Sequence, residues 1–263
     1  MTTQPSGAKR TVLVPHPPLT AYYASESERS AFVRGLFDQA APDYDRIEGL
    51  LALGSGGWYR RQALLRAGLR PGMRFLDVGV GTGILLRQAV RILGDEALAT
   101  GIDPSPGMMR LASSLPTVTL VEGCAERIPF PDESFDFLAM GYALRHIGDL
   151  SAAFHEFHRV LRPGGRLCIL EITRPDSAWG RSLMKLYIRG MLPMLARLTG
   201  ARRESLLLWR YYWDTIETCV PPEPLLDALA ATGFEGVRRH VDNRMLSFLS
   251  EYQGRKAGSC QKG

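Results

Sequence analysis

The stretch Leu76-Asp77-Val78-Gly79-Val80-Gly81-Thr82-Gly83 decides the fold. An apolar run with strand character ends at Val78, three alternating glycines follow, and residues 83–93 carry helical periodicity. Glycines at a strand-to-helix turn permit a tight bend and let a ligand approach bare backbone. Alone, the triplet is equally compatible with a plain tight turn. Its partner is Asp103, 22 residues beyond Gly81, at the end of the next apolar run in Gly101-Ile102-Asp103-Pro104-Ser105. A carboxylate there can accept hydrogen bonds from both hydroxyls of a ribose. Together the two features predict a nucleoside site in a βαβ unit.

Working outward, strands are expected at 74–78, 98–102, 118–122, 135–140 and 166–172, with helices at 83–93, 107–114 and 151–161. The last of these helices puts Phe154, Phe157, Val160 and Leu161 on one face. This alternation argues an α/β fold with a parallel sheet covered by helices on both sides. Upstream, residues 27–40 carry Phe32, Val33, Leu36 and Phe37 at helical spacing, and further helices fit 45–53 and 58–67. Downstream, 179–218 reads as helix with a break near Thr199-Gly200, and Pro221-Pro222 ends it. A short helix at 224–231 precedes two strands at 234–241 and 244–252, which can pair as a hairpin around Asp242-Asn243. The expected organisation is an arm at 1–26, a helical cover at 27–70, an α/β core at 71–178, a helical lid at 179–220 and a completion of the sheet at 221–263.

The 263 residues are 45% hydrophobic and 22% charged, which excludes disordered and fibrous classes. A net charge of +5 permits an anionic ligand or a membrane surface. It does not demand nucleic acid, and no recognition module accompanies it. Cys124, Cys168, Cys219 and Cys260 form no CxxC pair, so a cytoplasmic location with reduced thiols is expected. The most apolar stretch, 183–198, is interrupted by Lys185, Arg189 and Arg197 and is no membrane span. His155-Glu156-Phe157-His158 lacks the i, i+4 histidine spacing of a zinc helix, and no metal is expected.

The glycine spacing also bears on which nucleoside fits. A dinucleotide turn has G-x-G-x-x-G with a pyrophosphate on the helix N-terminus. Here the spacing is G-x-G-x-G and Asp77 stands just before it. A carboxylate would repel pyrophosphate but suits the cationic amino-acid end of S-adenosylmethionine. LDVGVGTG, GIDPSPGMM, AERIPFPDESFD and HRVLRPGGRL together resemble a class I SAM-dependent methyltransferase. FDQAAPDYD at 37–45, YALRH at 142–146 and RVLRPGGRLCILEITRP at 159–175 resemble the ubiquinone/menaquinone biosynthesis C-methyltransferase (UbiE-type) family. The resemblance runs from about Phe32 onward and is looser after Pro175.

That resemblance implies a Rossmann-like, doubly wound sheet of seven strands with the last antiparallel, N-terminal helices and a helical lid insertion. It implies that Gly79, Gly81, Thr82 and Gly83 wrap the methionine and ribose of S-adenosylmethionine, that Asp103 holds the ribose and that Met108 lies against the adenine. Cys124-Ala125 stands where the family has Asn-Ala or Asp-Ala at the adenine edge, and a thiol is a poor partner for an amine. Gly141 stands where the family often has Ser, near the sulfonium, and Tyr44 would cover the cofactor.

For a carbon acceptor, a base or polarised water must remove a proton. Arg145 and His146 follow the strand that ends over the cofactor, where the family has Arg-Asn. Arg145 could stabilise a developing anion and His146 could act as a base. Equally, Arg145 could form a structural ion pair and His146 could cap a helix. Between 181 and 210 lie seven cations among regularly spaced apolar residues, followed by Trp209-Arg210-Tyr211-Tyr212-Trp213. This is either an ordinary helical cover with a solvated basic face or a lid over an apolar or amphiphilic small-molecule acceptor. In the second case Arg189, Arg202, Arg203 and Arg210 would meet an anionic group, and Tyr211, Tyr212 and Trp213 would present rings. The acceptor class implied is a demethyl prenylquinone. A prenyl diphosphate alkene methylated to a carbocation, with or without cyclisation, is the alternative, and a non-catalytic SAM-binding scaffold a remote one. Peripheral membrane contact and a homodimer are compatible with the chain.

Overall fold

The computed structural model describes residues 12–51, 55–115, 117–198, 203–241 and 248–258. Seven strands form one sheet in the order β3-β2-β1-β4-β5-β7-β6. They are β1 (Phe75–Val78), β2 (Ala99–Asp103), β3 (Thr119–Glu122), β4 (Phe135–Gly141), β5 (Leu161–Ile172), β6 (Phe234–Val241) and β7 (Leu249–Lys256). The first five run parallel, and β7 inserts antiparallel between β5 and β6. Strand order reverses between β1 and its neighbours β2 and β4, which places the crevice at the carboxyl end of β1.

The helices are α1 (Glu26–Leu51), α2 (Gly56–Ala67), α3 (Ile84–Leu93), α4 (Pro106–Ala112), α5 (Leu150–Val160), α6 (Ala178–Lys185), α7 (Leu192–Leu198), α8 (Arg203–Thr218) and α9 (Pro222–Ala231). A π turn, Leu186–Met191, joins α6 to α7. α3 turns Leu85, Leu86, Ala89, Ile92 and Leu93 to one side of the sheet, against Phe75, Phe137 and Leu170. α5 turns Phe154, Phe157 and Val160 to the other side, with Leu76, Leu138 and Ile169. Side-chain caps start three of the described α-helices: Asp149 accepts from the Ala152 amide at 3.0 Å, Ser105 from the Met108 amide at 3.1 Å and Ser177 from the Gly180 amide at 3.0 Å.

Three sequence expectations change. The helices expected at 27–40 and 45–53 are one helix, α1, running through Pro42. Proline forfeits one helical hydrogen bond, but Leu36, Ala40 and Ala41 in the turns just before it are buried, and packing outweighs that loss. The glycine-rich stretch at 163–165 lies inside β5, where a register shift against β4 absorbs it. β7 begins at Leu249 instead of residue 244, and the expected turn at Asp242-Asn243 lies outside the described residues.

Within the segment expected as an extended arm, the described residues from 12 onward are tied to the body of the protein. Pro15 O accepts from the Val220 amide at 2.6 Å and Leu13 O from the Leu150 amide at 2.9 Å. α1 and α8 pack together through Val33, Leu36, Ala40, Leu208, Tyr211 and Tyr212. No described helix is long and apolar enough to cross a membrane.

Candidate active site

The crevice is built from the glycine turn outward. Gly79, Gly81 and Gly83 all have left-handed φ, of 72°, 54° and 84°. A Cβ on Gly79 would meet that of Ala143 at 2.8 Å, whereas one on Gly81 would meet nothing within 4 Å. The first glycine is therefore required by packing. The second borders open space that a ligand can fill. The Gly79 and Val80 amides bond to Ile102 O at 2.9 Å, which ties the turn to β2.

Asp103 ends β2 and braces the turn: Oδ2 accepts from the Gly81 amide and Oδ1 from the Ser105 amide, both at 2.8 Å. Burial raises its carboxyl to about 6. Asp77 is buried more deeply, and neither of its oxygens has a hydrogen-bond partner. Burial and then the nearby Asp103 raise its carboxyl to about 8, against the pull of Arg60. An orphaned buried carboxylate calls for a cation, and the amino group of S-adenosylmethionine is one. The open cradle at Gly81 and the Asp103 carboxyl beside it, with the unpartnered Asp77 buried close by, fit that cofactor.

A cavity of about 170 Å³ lies over the turn. Gly79, Gly81, Asp103, Met108, Cys124, Ala125 and Gly141 line it from the sheet side. Tyr44 and His146 line it too, with Phe37 and Val33 of α1. Thr82 and Gly83 sit behind this surface, Thr82 buried and Gly83 at the start of α3. Burial, with Glu126 adding, raises the Cys124 thiol above its ordinary value.

His146 stands in an aromatic box. It stacks on Tyr211 at 5.5 Å and meets Phe37 and Tyr212 edge-on at 5.0 and 5.9 Å. Neither ring nitrogen has a hydrogen-bond partner. Burial, then Arg145, Arg29 and His16, hold its pKa well below the ordinary histidine value, which favours the neutral ring. The hydroxyls of Tyr44 and Tyr212 are 2.7 Å apart and close the box.

Arg145 does not line the cavity. It is fully buried and paired with Glu171, with its Nη1 also donating to Tyr142 O at 3.2 Å. Its guanidinium lies 4.5 Å from the centre of the Tyr212 ring, and Nε and Nη2 have no partner. The position expected to face an acceptor thus carries a buried ion pair behind the aromatic wall.

The lid expectations are corrected as well. Arg189 is half exposed and lies 3.8 Å from Asp214, and Arg210 is exposed, so neither lines the cavity. Arg202 and the Arg203 side chain lie outside the described residues. Trp213 packs with Tyr59, Ile172 and Met184 in a separate cluster, and its Nε1 donates to Glu217 at 2.9 Å. Tyr211 and Tyr212 form the second layer of the cavity, behind His146 and Phe37.

Two groups escaped the sequence reading. Glu171 was legible as one acid inside the apolar run at 167–172, which signals a buried partner. Tyr142 lines the cavity with a left-handed φ of 62° and its ring under Arg60, and no sequence pattern marks such strain. Among the described residues no cluster of side chains could hold a metal.

Comparison with known proteins supplies the family. The profile of the ubiE/COQ5 methyltransferase family matches residues 24–243. The demethylmenaquinone methyltransferase of Chlorobaculum tepidum is 34% identical over 222 residues, covering 82% of this chain and 89% of its own. The ubiquinone/menaquinone biosynthesis C-methyltransferase UbiE of Coxiella burnetii is 30% identical, covering 79% of this chain and 85% of its own. A SAM-dependent methyltransferase structure from Thermotoga maritima shares the fold with a TM-score of 0.58 at 23% identity, covering 85% of this chain and 99% of that one.

Proposed function

We propose that this chain, which belongs to the ubiE/COQ5 methyltransferase family, methylates a ring carbon of a prenylated quinol, the acceptor class named in its relatives. The observation that carries the reading is the pairing of walls in one cavity: the glycine turn and Asp103 face Phe37, Tyr44 and a neutral His146. S-adenosylmethionine would supply an electrophilic methyl group on a sulfonium that leaves as a neutral thioether. Gly79 and Gly81 would form its cradle, with Thr82 and Gly83 supporting the turn behind them, Asp103 would hold the ribose, and Asp77 would meet the amino group. Met108, Cys124 and Ala125 border the adenine, while Gly141 and Tyr44 flank the reacting end.

The protein's own contribution is position and proton handling. A quinol ring carbon becomes strongly nucleophilic when its neighbouring hydroxyl loses a proton. His146 takes that proton on a ring nitrogen free of other partners. Burial disfavours the charged ring, so the imidazolium gives the proton up to solvent water and the neutral base is restored. The new carbon–carbon bond leaves a ring proton, which a water molecule takes up as aromaticity is restored. Arg145 is a positioning residue: anchored by Glu171, it holds Tyr212 and, through it, the box around His146. Residues 71–178 and 221–263 serve as the cofactor half and 27–70 with 179–220 as the acceptor cover. The prenyl tail of such an acceptor resides in a bilayer, so contact with a membrane surface belongs to this reading.

The prenyl diphosphate alternative needs free guanidinium groups at the cavity; Arg189 and Arg210 do not line it, and Arg34, which does, is paired with Glu122 at 3.0 Å. The test is transfer of labelled methyl to a demethylmenaquinol, a demethyl ubiquinol precursor and geranyl diphosphate, with products placed by mass spectrometry. Label on a quinol ring carbon is expected. His146→Ala should lower kcat by about a hundredfold, the scale of a lost general base, with affinity for S-adenosylmethionine unchanged. Label on geranyl diphosphate alone would overturn the reading.

A further inference from the structure

Half of the large apolar side chains that the described residues leave exposed lie between Trp179 and Leu198. They are Trp179, Leu183, Leu186, Met191, Met194 and Leu198, and the three most exposed reach 71%, 67% and 79% at Trp179, Leu186 and Leu198. Their spacing is orderly. Leu183 and Leu186 follow Trp179 by one and two helical turns. Met191 would then fall one residue late in an unbroken α-helix. The π turn Leu186–Met191 absorbs that extra residue, which returns Met191, Met194 and Leu198 to the line begun by Trp179. The result is one apolar stripe along α6, the π turn and α7. Met184, Ile188 and Leu192 on the opposite side anchor the segment in the core.

Charge accompanies the stripe. Arg181, Lys185, Arg189 and Arg197 lie in the same segment, and no Asp or Glu occurs between Asp176 and Glu204. Lys185 and Arg189 reach acids of α8 only loosely, at 3.7 and 3.8 Å, and remain half exposed. An apolar stripe flanked by cations on a surface helix suits the headgroup region of an anionic bilayer. A second copy of the chain is a poor occupant, because a two-fold contact would set four cations against the same four.

We infer that α6, the π turn and α7 form a docking face for membranes rich in anionic lipid. The face deepens the reading of a bilayer-borne acceptor, but it is measured without methyl transfer. The experiment is sedimentation of the full chain with vesicles of phosphatidylcholine alone or with phosphatidylglycerol added. Co-sedimentation with the anionic vesicles, weakened by salt and nearly absent on phosphatidylcholine, is the expected result. Leu186→Glu with Leu198→Glu should abolish it at unchanged melting temperature, since both side chains are exposed. Arg181→Gln and Arg197→Gln should each weaken binding about fivefold, the equivalent of about 1 kcal/mol per cation near such a surface.

Wild-type protein that stays in solution with both vesicles overturns the inference, as does equal binding by the glutamate variant. A dimer that Leu186→Glu dissociates, with no vesicle binding, assigns the stripe to a second copy and overturns it too. A short-tailed, water-soluble demethyl quinol separates the two readings. Its methylation without vesicle binding removes the docking face alone, and vesicle binding without its methylation removes the acceptor alone.

Discussion

Asp77 and Asp103 make the crevice sensitive to pH. Each carboxyl holds its proton more tightly in the folded chain than the ordinary value of 3.8, Asp103 up to about 6 and Asp77 up to about 8. A group with a raised folded pKa stabilises the fold below its unfolded value and loses that contribution as pH rises to the folded one. The cofactor-free protein should therefore melt at falling temperature from about pH 4 to about pH 8 and level off above, at no more than about 1.4 kcal/mol per pH unit for each group. Asp77→Asn should flatten the upper part of that slope, between about pH 6 and pH 8. S-adenosylmethionine, whose amino group favours the ionised carboxylate, should release a proton on binding near neutral pH. Calorimetry in buffers of different ionisation enthalpy would detect it, and a buffer-independent heat would refute the pairing with Asp77.

Arg145 carries a different expectation. A buried ion pair broken from one side leaves an uncompensated charge, at a cost of about 3–5 kcal/mol. Arg145→Ala should lower stability by that order, and adding Glu171→Ala should recover part of the loss. Urea titration of both variants measures this, and additive effects would show that the pair is not coupled.

Among the elements, the strand-to-helix turn distinguishes its glycines. Gly79→Ala suffers both strain and collision with Ala143, whereas Gly81→Ala suffers strain alone, about 1–2 kcal/mol. Gly81→Ala should therefore fold, with its methyl group projecting into the ligand's space. Cofactor affinity should fall more than stability in that variant and the reverse in Gly79→Ala, as thermal melts with and without S-adenosylhomocysteine would reveal. This turn and β1 to β5 were legible because hydrophobic period and glycine placement are local signals. The continuity of α1 through Pro42 was not legible: the proline's local cost is real, and the burial of Ala40 that helps outweigh it depends on distant α8. The lid was less legible still. Arg189 and Arg210 share a segment with Tyr211 and Tyr212, but which of them turns inward depends on packing against α1, and no spacing in 181–213 encodes that.

The whole molecule closes its crevice with pieces from far apart in the chain. His16 Nε2 meets Arg29 at 3.0 Å, Arg29 donates to Arg145 O at 2.9 Å, and Arg145 lies against Tyr212. Removing residues 1–18 should thus lower the melting temperature and slow methyl transfer while S-adenosylhomocysteine still binds, because none of the described residues 12–18 lines the cavity over the glycine turn. Loss of both activities together would show that the segment supports the entire fold.

The antiparallel insertion of β7 has a consequence for synthesis. β5 and β6 leave the ribosome before the strand that must lie between them. Until residues 249–256 emerge, both present unpaired backbone, and β5 does so along Arg166 to Ile172, whose side chains are mostly buried in the finished sheet. A nascent chain at that stage offers a long apolar edge to any neighbour. Protection by a chaperone, or rapid translation of the final segment, would then govern yield more strongly than the stability of the completed enzyme.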